Sequence, residues 1–63
     1  MEEYQRRVVE EADTLDVKIA KLETFLENPP ININIPELSR LKRQADAMRL
    51  YSYILHNRIK HFT

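Results

Sequence analysis

Among its 63 residues the chain has no cysteine, no glycine and no tryptophan. Without cysteine there is no disulfide to staple a small fold, no thiolate metal site and no thiol nucleophile. Without glycine there is no glycine-dependent phosphate loop and no dinucleotide fingerprint, because both need backbone that a Cβ would obstruct. No apolar run approaches the roughly 20 residues of a membrane span. The first residues are acidic rather than basic and then apolar, so no secretory signal is expected. Nor does either charge dominate: ten Lys and Arg balance ten Asp and Glu, leaving no overall field toward nucleic acid or membrane. The expectation is a cytoplasmic protein with no membrane partner and no dedicated DNA binding.

A chain of this length makes one domain, 1–63. A single core of that size supplies only about 3–5 kcal/mol, so small domains usually need a staple. With disulfides excluded, the remaining staple is self-association. The charges are unevenly spread. Residues 1–28 hold eight acids against four bases, and residues 36–63 hold six bases against two acids. The two halves are electrostatic complements.

In the first half, Tyr4, Val8, Ala12, Leu15, Ile19, Leu22 and Leu26 recur at steps of four and three, which keeps them on one helical face. The spacing predicts a helix over 2–28. Prolines 29, 30 and 36 bracket a break, since proline removes a donor and pushes its predecessor toward extended geometry. This predicts a linker over 29–35. Pro36 suits a first helical position, and Glu37 follows in the opening turn. The second helix, over 36–62, carries Leu38, Leu41, Ala45, Met48, Leu55, Ile59 and Phe62 in a 3,4 heptad, with Ser52 the one polar interruption. The fold class is therefore all-α: an antiparallel, coiled-coil-like two-helix hairpin assembling into a homo-oligomeric helical bundle. The antiparallel alignment sets Leu22 by Leu41, Leu15 by Met48 and Val8 by Leu55. On one flank it sets Glu23 by Lys42 and Asp16 by Arg49. In the linker, Ile31, Ile33 and Ile35 alternate with Asn32 and Asn34, the period of an extended strand with one apolar face. That face can cap the hairpin end, pair with another subunit's linker or clamp a partner.

A second apolar row, Ala47, Leu50, Tyr51 and Ile54, lies beside the core row of the second helix. One hairpin cannot bury both. The row is expected to be an oligomer interface, with Phe25 and Val17 contributing from the first helix. The adjoining flank brings Tyr4 near Arg58, Glu11 near Tyr51, and Arg7 one turn from Tyr4. Tyrosine rings beside guanidinium groups suit a nucleotide, because bases stack on rings and phosphate accepts bidentate bonds from arginine. Tyr4, Arg7, Tyr51 and Arg58 are therefore the candidate ligand-binding residues.

Catalysis and metal binding find no support. His56 and His61 are five apart, off the i, i+4 spacing that would share a face, with no acid nearby in sequence. Ser52 sits at a core position, and Ser39 has no histidine near it in the alignment. No catalytic residue, metal or cofactor is expected. The chain reads as a binding protein, not an enzyme.

The pattern Tyr4-Gln5-x-Arg7-Val8-Val9-x-Glu11, then Leu15-Asp16-x-Lys18-Ile19-x-x-Leu22 and Phe25-Leu26, carries a family resemblance. It continues with Gln44, Ala47-Met48, Tyr51-Ser52, Leu55, Arg58-Ile59 and Phe62. On these positions the chain resembles a family of small bacteriophage proteins related to a crAss-like phage product. The resemblance covers both helices but not the linker. It implies a phage accessory protein in the host cytoplasm. By analogy with small hairpin sponges, it implies an anti-defence role in which a cyclic or linear signalling nucleotide is sequestered between subunits. Two alternatives stand beside it: an inhibitor or adaptor of a host defence protein acting through the basic second helix, and a structural oligomerisation module.

Overall fold

The structure, a computed structural model, describes residues 1–62; Thr63, the last residue of the expected domain, lies outside the described residues. Helix α1 spans Glu3–Glu27 and helix α2 spans Ile35–Lys60, and the two pack antiparallel as a hairpin. The result is a rod 48 Å long and 14 Å across in its Cα extents.

Each helix end differs from the sequence expectation by one or two residues, for identifiable local reasons. At the start of α1, Glu2 is the cap and its backbone N–H donates to Gln5 Oε1 at 2.8 Å, which satisfies a group that helix geometry leaves orphaned. Gln5 is itself buried. Helix α1 stops at Glu27 because Asn28 precedes Pro29 and takes φ −147°, ψ 68°. Helix α2 begins at Ile35, one residue before the expected Pro36. Its cap is Asn34, whose Oδ1 accepts from the Glu37 backbone N–H at 2.7 Å. It ends at Lys60, where the backbone N–H groups of His61 and Phe62 reach back to Arg58 and Ile59 and tighten the last turn.

The linker is a turn, not a strand. The Ile33 N–H donates to the Pro30 carbonyl at 3.1 Å, so the chain reverses within four residues. The alternation therefore fails to give one apolar face: Ile33 is half-buried, while Ile31 and Ile35 are exposed.

The core is a single seam. Val8, Ala12, Leu15 and Ile19 of α1 and Ala45 and Leu55 of α2 are buried, with Met48, Ile59 and Phe62 packed partly against them. Ala12 and Ala45 are fully covered, and their small side chains let the helices approach closely. Leu22, Leu26, Leu38 and Leu41, toward the linker, are only half-buried. Among the described residues, Leu55 is the one large side chain less than 2% exposed. Two helices alone thus leave much of their apolar surface uncovered.

Candidate functional site

Helical periodicity divides the surface beside the seam into two flanks. On one lie Tyr4, Arg7, Glu11, Lys18 and Phe25 of α1 with Ala47, Tyr51, Ile54 and Arg58 of α2. On the other lie Asp16 and Glu23 of α1 with Arg49, Ser52, Tyr53, His56 and Lys60 of α2.

The first flank holds the candidate ligand residues. Tyr4 is 57% exposed, and its ring meets Phe62 edge to face with centroids 5.9 Å apart and planes at 74°. That geometry suits the ring quadrupoles. The alignment anticipated Arg58 beside Tyr4; the ring partner the structure gives Tyr4 is Phe62. Arg7 points into solvent, with its Nε 3.5 Å from Glu3 Oε1. Tyr51 and Arg58 are exposed, and among the described residues Arg58 has no ion-pair partner. The apolar row beside them is open as well: Leu50 is 61% and Ile54 47% exposed, and Ala47, Tyr51, Phe25 and Val17 are exposed with them. Ring faces, two guanidinium groups and apolar area therefore share one side of the rod.

The second flank carries the cross-helix polar bonds. Asp16 Oδ1 accepts from Ser52 Oγ at 2.6 Å, and Asp16 Oδ2 lies 2.7 Å from His56 Nε2. Higher up, Arg49 Nη1 donates to Glu23 and Arg49 Nη2 to Asp46. The Ser52 hydroxyl, and after it the His56 ring, hold the Asp16 carboxyl below its ordinary range. Glu23, then Asp46, raise the Arg49 guanidinium.

These partners correct the alignment, which set Asp16 by Arg49 and Glu23 by Lys42. Each acid instead meets a residue one to two turns further toward the C-terminus of α2. Side-chain direction contributes to the offset. Every Cα–Cβ bond tilts toward the N-terminus of its own helix, so in an antiparallel pair the side-chain tips meet between residues whose Cα atoms have already passed one another. Long side chains exaggerate the offset.

The order of contacts is serine, carboxylate, histidine. In a nucleophilic triad the imidazole stands between the other two and takes the hydroxyl proton. Here the Ser52 hydroxyl donates to Asp16, and His56 receives nothing from it. The cluster works as a cross-helix clamp that fixes one imidazole. Periodicity of α2 alone does not reveal it, since Asp16 comes from the other helix. His61 is engaged separately, with its Nδ1 2.8 Å from the Asn57 carbonyl oxygen.

Beside the clamp, Tyr53, His56, Asn57 and Lys60 line an open groove of about 230 Å³. Of the four, only His56 drew attention in the sequence, where its spacing from His61 gave no support to metal binding. No helix of the described residues is long and apolar enough to cross a membrane.

Compared with known proteins, no curated sequence and no solved structure matches the chain. A family model does match, over residues 2–61, and so takes in both helices and the linker between them. With the match running over nearly the whole hairpin, the chain belongs to the Sequestin family.

Proposed function

We propose that this chain is a phage-encoded, non-catalytic protein that sequesters a signalling nucleotide of host defence, in the host cytoplasm, within a homo-oligomeric bundle of hairpins. The family's name denotes sequestration, which requires capture of a partner without turnover. The observation that carries the nucleotide reading is the contrast between the flanks. Asp16, Glu23 and Arg49 are engaged across the seam. Tyr4, Arg7, Tyr51 and Arg58 stand exposed on the opposite side and make no polar bond across it among the described residues. They retain stacking and phosphate-binding capacity for an outside ligand.

Surface area supports the bundle. The hairpin exposes 5082 Å², whereas a compact folded monomer of its mass exposes roughly 4,300 Å². The surplus is comparable to the roughly 800 Å² per partner of a standard protein interface. The row Ala47, Leu50, Tyr51 and Ile54 is the natural place to bury it.

Native mass spectrometry of protein purified gently from expressing cells tests both parts. The expected result is a discrete oligomer carrying extra mass in the nucleotide range. A bare monomer would sink the bundle, and a ligand-free oligomer would shift weight to a structural module.

A second reading, an inhibitor or adaptor of a host defence protein, draws on the basic face of α2. Arg40 and Arg49 are paired, but Lys42 and Arg43 have no ion-pair partner among the described residues. Stoichiometric recovery of one host protein in a pull-down would favour it.

A further inference from the structure

The groove beside the Asp16 clamp combines features that the opposite flank lacks. Its volume, about 230 Å³, falls below the roughly 300–1,000 Å³ of sites that enclose a drug-sized ligand. It therefore suits one aromatic ring with its phosphate rather than a whole dinucleotide. Tyr53 offers a ring face to stack on. Asn57 offers an amide, and Lys60 has no ion-pair partner among the described residues. His56 is the built element: with Nε2 held on Asp16, its ring orientation is fixed and Nδ1 is the nitrogen left for a ligand. Ser52 in turn holds Asp16 in place. Such a carboxylate behind an imidazole sets both tautomer and ring angle, a pre-organisation that a lone surface histidine lacks.

We propose that the Tyr53–His56–Asn57–Lys60 groove is a binding subsite for a single nucleotide unit, with Tyr53 stacking on the base and Lys60 meeting the phosphate. Asp16 and Ser52 act as positioning residues through His56. The last turn of a helix carries partial negative charge, which opposes an anion there. Arg58 and Lys60, the bases of that turn, offset it. The inference rests on the nucleotide reading above and places a second contact region on the far side of the seam from Tyr51 and Arg58.

The test is a backbone amide NMR titration of the full chain with adenosine 5′-monophosphate and, separately, with inorganic phosphate. Expected are AMP-induced shifts concentrated on residues 53–60. Tyr53→Ala and Lys60→Gln, both at exposed positions, should each weaken AMP binding about tenfold, as loss of one stacking or charge-assisted contact does. In the wild-type protein the His56 side-chain ¹⁵N signals should report a proton on Nε2. Asp16→Asn should lose that signature and weaken AMP binding with it. AMP shifts confined to Tyr4, Arg7, Tyr51 and Arg58 would overturn the groove and leave the nucleotide reading standing. Phosphate shifts at the groove without AMP binding would keep an anion subsite and remove the nucleotide. No shift with either probe would overturn the groove, while the nucleotide reading would still stand or fall on the mass that co-purifies with the protein.

Discussion

Asp16 of α1 and His56 of α2, 40 residues apart in the chain, meet at 2.7 Å through one carboxylate oxygen while the other accepts from Ser52 at 2.6 Å. One carboxylate thus ties α1 to two successive turns of α2. Its bonds favour the ionised form, and the folded protein holds the carboxyl below its ordinary range. The sign of the pH dependence follows. A carboxyl with a lowered folded pKa contributes stability that is fully present above the unfolded value, about 3.9, and is lost as pH falls through the folded value. Thermal melts from pH 6 down to pH 3 should therefore show a steeper loss for the wild type than for Asp16→Asn, whose side chain cannot ionise. Equal slopes would mean that the clamp contributes nothing to stability. Half-exposure of all three side chains keeps the effect small.

The core seam was legible in the sequence because heptad spacing survives any small error in register. Val8, Ala12, Leu15, Ile19, Ala45 and Leu55 were all on the expected rows, and all are buried. The polar partners were not legible in the same way. Aligned Cα positions take no account of the tilt of side chains along each helix, so they pair Asp16 with Arg49, whereas the tip of Asp16 reaches Ser52 and His56. The linker misled for a different reason. Alternating isoleucine and asparagine has a strand's period, but Pro30 and the Ile33 N–H close a turn first. The groove at Tyr53, His56, Asn57 and Lys60 was invisible because none of its residues lies on an apolar row.

Leu55 is 1% exposed and central to the buried cluster. Replacing a buried leucine with alanine costs about 2–5 kcal/mol, as transfer energy plus cavity. That is close to the whole stability a lone core of this size supplies, about 3–5 kcal/mol. Leu55→Ala should therefore leave the isolated hairpin largely unfolded at 25 °C, as far-UV circular dichroism and urea titration would show. Leu50→Ala, at an exposed position, should unfold no more readily than the wild type when both are monomeric.

The exposed row gives a separable effect. Leu50→Glu and Ile54→Glu place charges at exposed positions outside the buried seam, so helicity of the monomer should persist. Burying an unpaired charge in an interface is costly. Sedimentation velocity should show the double variant shifted to the mass of one chain while the wild type runs heavier. An unchanged distribution would remove Leu50 and Ile54 from any interface.

On the candidate ligand flank, Arg58→Ala and Tyr4→Phe test chemistry rather than folding. Both positions are exposed, so melting temperature should barely move. Loss of a guanidinium that meets phosphate should weaken nucleotide binding about tenfold or more, whereas Tyr4→Phe keeps the ring and should cost little if Tyr4 only stacks. Calorimetric titration with a nucleotide that co-purifies with the protein would separate these cases. If Arg58→Ala leaves its binding untouched, Arg58 is not part of the site.

The start of α2 depends on one side chain. Asn34 Oδ1 accepts from the Glu37 N–H at 2.7 Å, Pro36 has no N–H to leave orphaned, and Glu37 complements the dipole of the first turn and accepts from Arg40 Nε. Because the chain has just turned through Ile33, the cap also fixes the point where the hairpin closes. Asn34→Ala removes the acceptor and should cost about 1 kcal/mol, lowering the melting temperature by about 4–8 °C in a domain this small. Asn34→Gly, which removes the Cβ and so opens the orphaned N–H to water, should cost only about a few tenths of a kcal/mol. Melts of the two variants at matched concentration would decide the matter. Equal melting temperatures for Asn34→Ala and the wild type would mean that solvent satisfies the Glu37 N–H as well as Asn34 does.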